Sequence, residues 1–170
     1  KTLARKHFGL VQQIRHQLHA HPELSFEEIN TSAYIVSVLQ KHGIAFQQGI
    51  VKTGIVALVE GKNPGKKTIA LRGDMDALPI EEKNETPYTS QNKGVMHACG
   101  HDVHSACLLG AAVVLHEMRE HWEGTVKFIF QPGEEKLPGG ASLLIKAGVL
   151  ENPAPAAIYA QHVFPSLPAG

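Results

Sequence analysis

A cluster of thiol and imidazole side chains stands out in the middle of the sequence. Cys99 and His101 are two residues apart, and His104 follows three residues later. Cysteine thiolate and neutral imidazole are good ligands for zinc and neighbouring divalent metals. The spacing therefore indicates a metal site with Cys99 and His101 as ligands. The alternative is an ordinary helix entry, in which Asp102 is the cap and the histidines are solvated.

Two further residues of this segment favour other roles. His104 lies one turn into the predicted helix, where a supporting or substrate-facing position is favoured over direct metal binding. Cys107 lies among apolar residues, which is typical of a small buried hydrophobic side chain.

The adjacent carboxylates Glu134 and Glu135 lie in a loop shaped by prolines and glycines. Such a pair is ordinarily a solvated turn. In a metal site, one carboxylate can bind the ion while its unligated neighbour takes a proton from a metal-bound water. That water is a useful nucleophile because a divalent ion lowers its pKa toward 7. The pair by itself leaves both interpretations open.

Asp74 and Asp76 follow another apolar run. Alternate residues leaving a strand point to opposite faces. At most one of them therefore faces a metal directly, and the other orients a ligand histidine or fixes the loop. Pairing of either carboxylate with Arg72 is the purely structural alternative. His162 also follows an apolar run, where a lone histidine is more often a satisfied core residue.

The elements that must position these residues alternate between strands and helices. Several strands are apolar throughout, which predicts an α/β fold with a largely parallel sheet flanked by helices. Three of the predicted strands end in polar residues, and ligands of open α/β sheets bind outside the carboxyl ends of the strands. We therefore expect these residues in one crevice. The predicted strands are 54–59, 68–71, 125–130 and 156–160, and the later helices are 102–119 and 141–147.

The first forty residues read as two helices. Apolar residues at spacings of three to five predict a helix that ends at Pro22. Ser25 and Glu28 have the spacing of a capping box, which predicts that a second helix begins there and buries Phe26. His19, near the end of the first helix, is interpreted as a local structural residue that satisfies terminal carbonyls.

Composition excludes several classes of protein. The 170 residues suit a single domain, and 16 basic residues balance 16 acidic ones, so nucleic-acid binding is not indicated. No apolar run approaches the length of a membrane span. Two cysteines rule out a disulfide scaffold and fit a reducing cytoplasm, although a chain that begins at Lys1 leaves export open.

Four ordered motifs carry a resemblance to a known family. Together they resemble the amidohydrolase branch of the aminoacylase/carboxypeptidase metallopeptidase clan, and the resemblance covers essentially the whole chain. That branch includes hippurate hydrolases, N-acetyl-diaminopimelate deacetylases and plant indole-acetyl-amino-acid hydrolases. The motifs are residues 18–28 (LHAHPELSFEE), 72–79 (RGDMDALP), 96–104 (MHACGHDVH) and 130–135 (FQPGEE).

The resemblance implies a site for two divalent metal ions: zinc, manganese, nickel or cobalt. It implies that Glu134 is the general base acting on a water that bridges the metals, and that Asp76 orients ligands nearby. It also implies one more histidine ligand beyond this chain. The implied metal ligands are Cys99 as the bridge, His101, Glu135 and His162, and the supporting or substrate-facing residues are His104, Asp102 and Asp74.

The implied activity is hydrolysis of the amide bond of N-acyl amino acids or similar small conjugates. The resemblance further implies that residues 1–170 are the N-terminal portion of a catalytic domain. A lid domain, through which the full-length protein would form a homodimer, and the rest of the catalytic domain would then be absent from this chain.

Alternatives to this activity stay open on the sequence alone. Cys99, His101 and His104 could hold a single structural zinc without the carboxylates, since such sites are closed by four protein ligands. The full-length protein could also be an inactive binding homologue, although its intact Glu134, Cys99 and His101 argue against that. Residues 1–170 could lack activity simply because they are incomplete.

Overall fold

One sheet of five strands forms the centre of the molecule. The computed structural model describes residues 1–168. The strands are β1 (Ala45–Ile50), β2 (Gly54–Glu60), β3 (Thr68–Asp74), β4 (Thr125–Gln131) and β5 (Ile158–Ala160). They lie in the order β1-β2-β4-β3-β5. The apolar runs become strands because both faces of the sheet are covered, and β4 is buried along its whole length.

Helices cover both faces of this sheet in the described residues. Ile55, Phe128 and Phe130 pack on one face into the core formed with the larger helices. Ala70 and Ile129 point to the opposite face, as alternation along a strand requires, and pack near the last helix. The helices are α1 (Thr2–Lys6), α2 (Phe8–Ala20), α3 (Ile29–Lys41), α4 (His101–Glu117) and α5 (Gly140–Lys146), with short 3-10 turns at Pro64–Lys66 and Arg119–His121.

The α/β class with flanking helices is confirmed, but the sheet is mixed where a largely parallel one was predicted. β3 pairs in parallel with β4 and β5. β2 pairs antiparallel with β1 and β4. Residues 51–53 form the tight connection between β1 and β2. These two strands are antiparallel because a short turn can join only antiparallel strands, whereas a parallel pair needs a crossover. β1 was not predicted because it is polar and largely exposed.

The N-terminal region departs from the sequence prediction. The first helix is interrupted at His7, so two helices replace one. The capping box is wrong: α3 begins at Ile29 without a side-chain cap, and Phe26 precedes it with a φ of +66°. Ser25 and Glu28 are instead buried and bonded to residues distant in sequence. A tertiary contact has replaced the local one that their spacing suggested.

Within residues 1–168, every helix is too short or too polar to span a lipid bilayer.

Candidate metal centre

The three parallel strands end at one edge of the sheet. The register pairs Asp74 of β3 with Gln131 of β4, and Arg72 with Ala160 of β5. The segments that follow these strands therefore meet in the crevice expected from the sequence. Residues 99–104, which end in the first turn of α4, enter the same crevice and contribute the thiol of Cys99 and the imidazoles of His101 and His104. The residues whose possible ligand atoms lie together there are Asp74, Cys99, His101, His104, Glu134, Glu135 and His162.

His101 lies at the centre of this cluster. Its ligand atom lies within 4.8 Å of those of Cys99 and His162, and within the same limit of those of Glu134 and Glu135. Nε2 of His101 is buried and has no hydrogen-bond partner among the described residues. Burying an unpartnered nitrogen is costly. The sulfur, nitrogen and oxygen donors around this nitrogen therefore fit a divalent cation.

Hydrogen bonds orient two imidazole rings toward the cluster. His101 Nδ1 lies 3.2 Å from Asp76 Oδ1, and an ionised carboxylate only accepts, so Nδ1 is the donor. His162 Nδ1 donates to the Val163 carbonyl at 2.7 Å. Both Nε2 atoms are thereby left as electron-pair donors, and that of His162 lies 3.4 Å from Cys99 Sγ. Metal-binding histidines are held in this way in proteins.

Asp76 connects His101 to the loop that carries the two glutamates. Its second oxygen accepts hydrogen bonds from Ser25 Oγ at 2.6 Å and from the backbone N–H of Glu135 at 3.0 Å. Burial alone would raise the pKa of Asp76, but the bonds from His101, Glu135 and Ser25 outweigh it and lower the pKa to about 2. Asp76 therefore remains a carboxylate, and it accepts the hydrogen bond that orients the His101 ring.

Asp74 and His104 form a second buried pair beside the cluster. Asp74 accepts from Arg72 Nη1 and from His104 Nδ1, both at 2.7 Å. The other His104 nitrogen accepts from the backbone N–H of Val163 at 2.9 Å. Neither nitrogen of His104 is free in this arrangement. The closed zinc site of Cys99, His101 and His104, considered from the sequence, is therefore not what the fold assembles, and His104 instead anchors the segment that carries His162.

Asp102 lies behind the cluster rather than capping α4. The helix has no side-chain cap, and Asp102 Oδ2 accepts from Arg15 Nε and His19 Nδ1, each at 2.8 Å. The local role inferred for His19 is wrong, because its ring bridges Asp102 and Glu82. The bond to a nearby helix carbonyl is made by His21, whose Nδ1 lies 3.0 Å from Gln17 O. His19 ties α2 to the first turn of α4.

Glu134 and Glu135 lie in an exposed loop at the mouth of the crevice. Glu135 Oε1 lies 3.8 Å from His101 Nε2. Burial and the neighbouring Glu135 carboxylate raise the pKa of the Cys99 thiol to about 12. A group of negative carboxylates around a thiol favours a cation at this place, since a coordinated thiol is deprotonated outright.

Cys107 does not lie in the core, contrary to the sequence prediction. It is exposed, since its face of α4 overlooks a groove between α4 and the short edge strand β5.

Sequence reasoning missed two residues that support the site, Ser25 and Glu28. Both lie in the motif 18–28, which could have indicated a role in the site. The spacing between Ser25 and Glu28 was instead interpreted as a local capping box.

The loop that carries Glu134 and Glu135 is closed by a backbone contact at Gly140 that only glycine permits. Gly140 N–H donates to the Gly133 carbonyl at 2.8 Å, and a Cβ on Gly140 would overlap the Pro132 carbonyl oxygen. Gly140→Ala is expected to lower the free energy of unfolding by about 1–3 kcal/mol, as overpacking does. Chemical denaturation measures this. Gly9→Ala is the control, because a Cβ there meets nothing within 4 Å. Equal stability of the two variants would contradict this loop closure.

Comparison with known proteins agrees with the fold and the motifs. Residues 70–170 match the model of peptidase family M20/M25/M40. The chain is 46% identical over 138 residues to an N-acyl-L-amino acid amidohydrolase of Geobacillus stearothermophilus, which covers 81% of this chain and 37% of that protein. It is 43% identical over 172 aligned positions to IAA-amino acid hydrolase ILR1-like 4 of Arabidopsis thaliana, which covers 99% of this chain and 38% of that protein.

Solved structures show the same likeness. The YXEP protein of Bacillus subtilis, described as a dinuclear metal binding peptidase from the M20 family, matches with a TM-score of 0.87 and 40% identity. The match covers 99% of this chain and 45% of that one. The chain spans less than half the length of the curated relatives it matches. On the strength of the family model, the fold and the ordered motifs together, this chain belongs to peptidase family M20/M25/M40.

Proposed function

We propose that this chain is part of a metal-dependent hydrolase that cleaves the amide bond of N-acyl amino acids or related small conjugates. The observation that carries the proposal is the unpartnered Nε2 of His101, buried among thiol, imidazole and carboxylate donors. Relatives named as an N-acyl-L-amino acid amidohydrolase and an IAA-amino acid hydrolase support the substrate class.

The residues that would hold two divalent ions are Cys99, His101, Glu135 and His162. When bound, such ions lower the pKa of a water molecule and polarise a substrate carbonyl. A thiolate favours zinc, nickel or cobalt, and the oxygen donors also admit manganese. The proposal places a remaining histidine ligand outside these 170 residues, in a protein of which this chain is the N-terminal part of the catalytic domain.

Glu134 is the proposed general base. Its carboxylate lies beside that of Glu135 and is exposed at the mouth of the crevice, where a water molecule can reach it. It would take a proton from the attacking water and return that proton to the leaving nitrogen. Asp76 would keep His101 in the tautomer that leaves Nε2 free, and His104 would hold the segment after β5.

Metal removal tests this proposal. Chelation of the full-length protein is expected to abolish hydrolysis of N-acetyl and N-benzoyl amino acids, and added zinc, manganese, nickel or cobalt should restore it. Because a ligand that binds only the folded state stabilises it, an ion at about 100 times its Kd should add about 2.7 kcal/mol per site to the free energy of unfolding. Product release and thermal unfolding measure the two effects.

The matched variants for this experiment are His101→Ala and His116→Ala, which alter opposite ends of the same helix. Only His101→Ala should lose the stabilisation by metal. A metal-loaded protein that hydrolyses none of these substrates would exclude the proposed activity, and an active chelated protein would exclude the role of the metal.

A further inference from the structure

We propose that Ser25, Phe26 and Glu28, called here the clamp, form a positioning element that fixes the backbone on both sides of Glu134 and orients His101. The inference rests on the proposed function of this site. The spacing of Ser25 and Glu28 suggested a helix cap, but in the fold these residues bond to Asp76 and Gly133.

The first part of the clamp is the carboxylate of Glu28. This side chain is completely buried, with an exposed fraction of 0%. Its Oε1 accepts from the backbone N–H groups of Phe26 at 2.9 Å and Gly133 at 2.8 Å, and its Oε2 accepts from Thr53 Oγ1 at 2.6 Å. A buried carboxylate is tolerated only when it is bonded in this way. Glu28 therefore anchors the residue that immediately precedes Glu134.

The second part is the contact between Phe26 and Gly133. Phe26 has a φ of +66°, an uncommon value for a residue with a side chain. A Cβ on Gly133 would overlap the Phe26 ring, so the loop backbone lies directly against the aromatic face. Gly133 itself has a φ of +55°, which glycine adopts without steric cost. The clamp thus limits the loop by shape as well as by hydrogen bonds.

The third part is the hydroxyl of Ser25. It donates at 2.6 Å to Asp76 Oδ2, the same oxygen that accepts from the backbone N–H of Glu135 at 3.0 Å. The other Asp76 oxygen lies 3.2 Å from His101 Nδ1. Ser25 therefore supports the residue that follows Glu134 and, through the same carboxylate, the ring of His101.

These contacts bracket Glu134 between two anchored peptide groups. Its own carboxylate is exposed, so the backbone anchors at Gly133 and Glu135 determine where it lies. A general base acts only within hydrogen-bond reach of its proton. A displacement of about 1 Å can cost about 100-fold in rate. The clamp consequently acts on catalysis through the loop, without contact with the substrate.

Variants of Glu28 test the effect on the loop. Glu28→Met removes the acceptors at similar volume and is expected to lower kcat about 10–100-fold, with KM and metal content little changed. Glu28→Gln keeps an oxygen for the Phe26 and Gly133 N–H groups and should retain most of the activity. Glu27→Gln, an exposed neighbour, is the control. If Glu28→Met lowers only the unfolding temperature and leaves kcat of the folded, metal-loaded protein unchanged, the clamp is merely structural.

Variants of Ser25 give a readout that needs no activity. Ser25→Ala should weaken zinc binding about 10–100-fold in competition with a chromophoric chelator, and Ser25→Thr should restore it. Unchanged zinc affinity in Ser25→Ala would overturn the proposed effect of Ser25 on His101 through Asp76. This test is valid even if Glu28→Met fails to fold. Absence of hydrolysis in the wild-type protein would instead count against the proposed function, because zinc affinity tests the clamp separately.

Discussion

Replacement of Glu134 by glutamine is expected to reduce kcat about 10²–10⁴-fold, the usual effect of removing a positioned acid–base group. Glutamine keeps the size and the hydrogen-bonding shape of the side chain but cannot take up a proton. Because Glu135 and not Glu134 is the proposed ligand of this pair, both metal ions should remain bound. A large loss of kcat with unchanged metal content would therefore identify Glu134 as the base.

The measurement needs metal analysis and steady-state kinetics on the same preparation. Glu60→Gln is a matched control, since Glu60 is exposed and pairs with Thr125 at the end of the sheet away from the crevice. Turnover of Glu134→Gln equal to that of the control would rule out the assignment. Parallel loss of metal and turnover would show that Glu134 is a ligand.

The second large effect is expected from Cys99→Ala. The thiol lies 3.4 Å from His162 Nε2 and shares the cluster with His101. If Cys99 bridges two ions, its removal takes a ligand from both at once. We expect metal affinity to fall by more than the roughly 10–100-fold that follows loss of a supporting group, and hydrolysis to fall with it.

The natural control is Cys107→Ala, which removes the other free thiol of the chain. Cys107 lies in the second turn of α4 and belongs to none of the metal-binding groups among residues 1–168. Calorimetric titration with zinc should separate the two variants clearly. Equal zinc affinities would exclude Cys99 as a ligand.

Much of the fold could be predicted because it depends on local pattern. The apolar runs of β2, β3 and β4 and the long helix α4 are visible in the sequence, and topology then placed the strand ends together. β1 could not be predicted in this way. Its residues are polar and exposed, and it becomes a strand only because β2 offers a partner.

The candidate site shows the same division. Cys99 and His101 were candidates from residue type and spacing, since metal binding requires particular donor atoms, and the two glutamates became candidates through the resemblance of the ordered motifs. The roles of Ser25, Glu28 and His19 were not accessible. Their partners Asp76, Gly133 and Asp102 lie 51 to 105 residues away in sequence, and spacing along the chain carries no information about such pairs.

The sequence by itself determined the α/β class through the periodicity of its apolar residues, and its four ordered motifs indicated the family and the residues proposed here as metal ligands. Only the tertiary structure decided which polar residues support the donors. A buried carboxylate such as Glu28 must find hydrogen-bond donors wherever the fold places them. Here it found one nearby, at the N–H of Phe26, and two far away in sequence, at Thr53 and at Gly133 beside the proposed base.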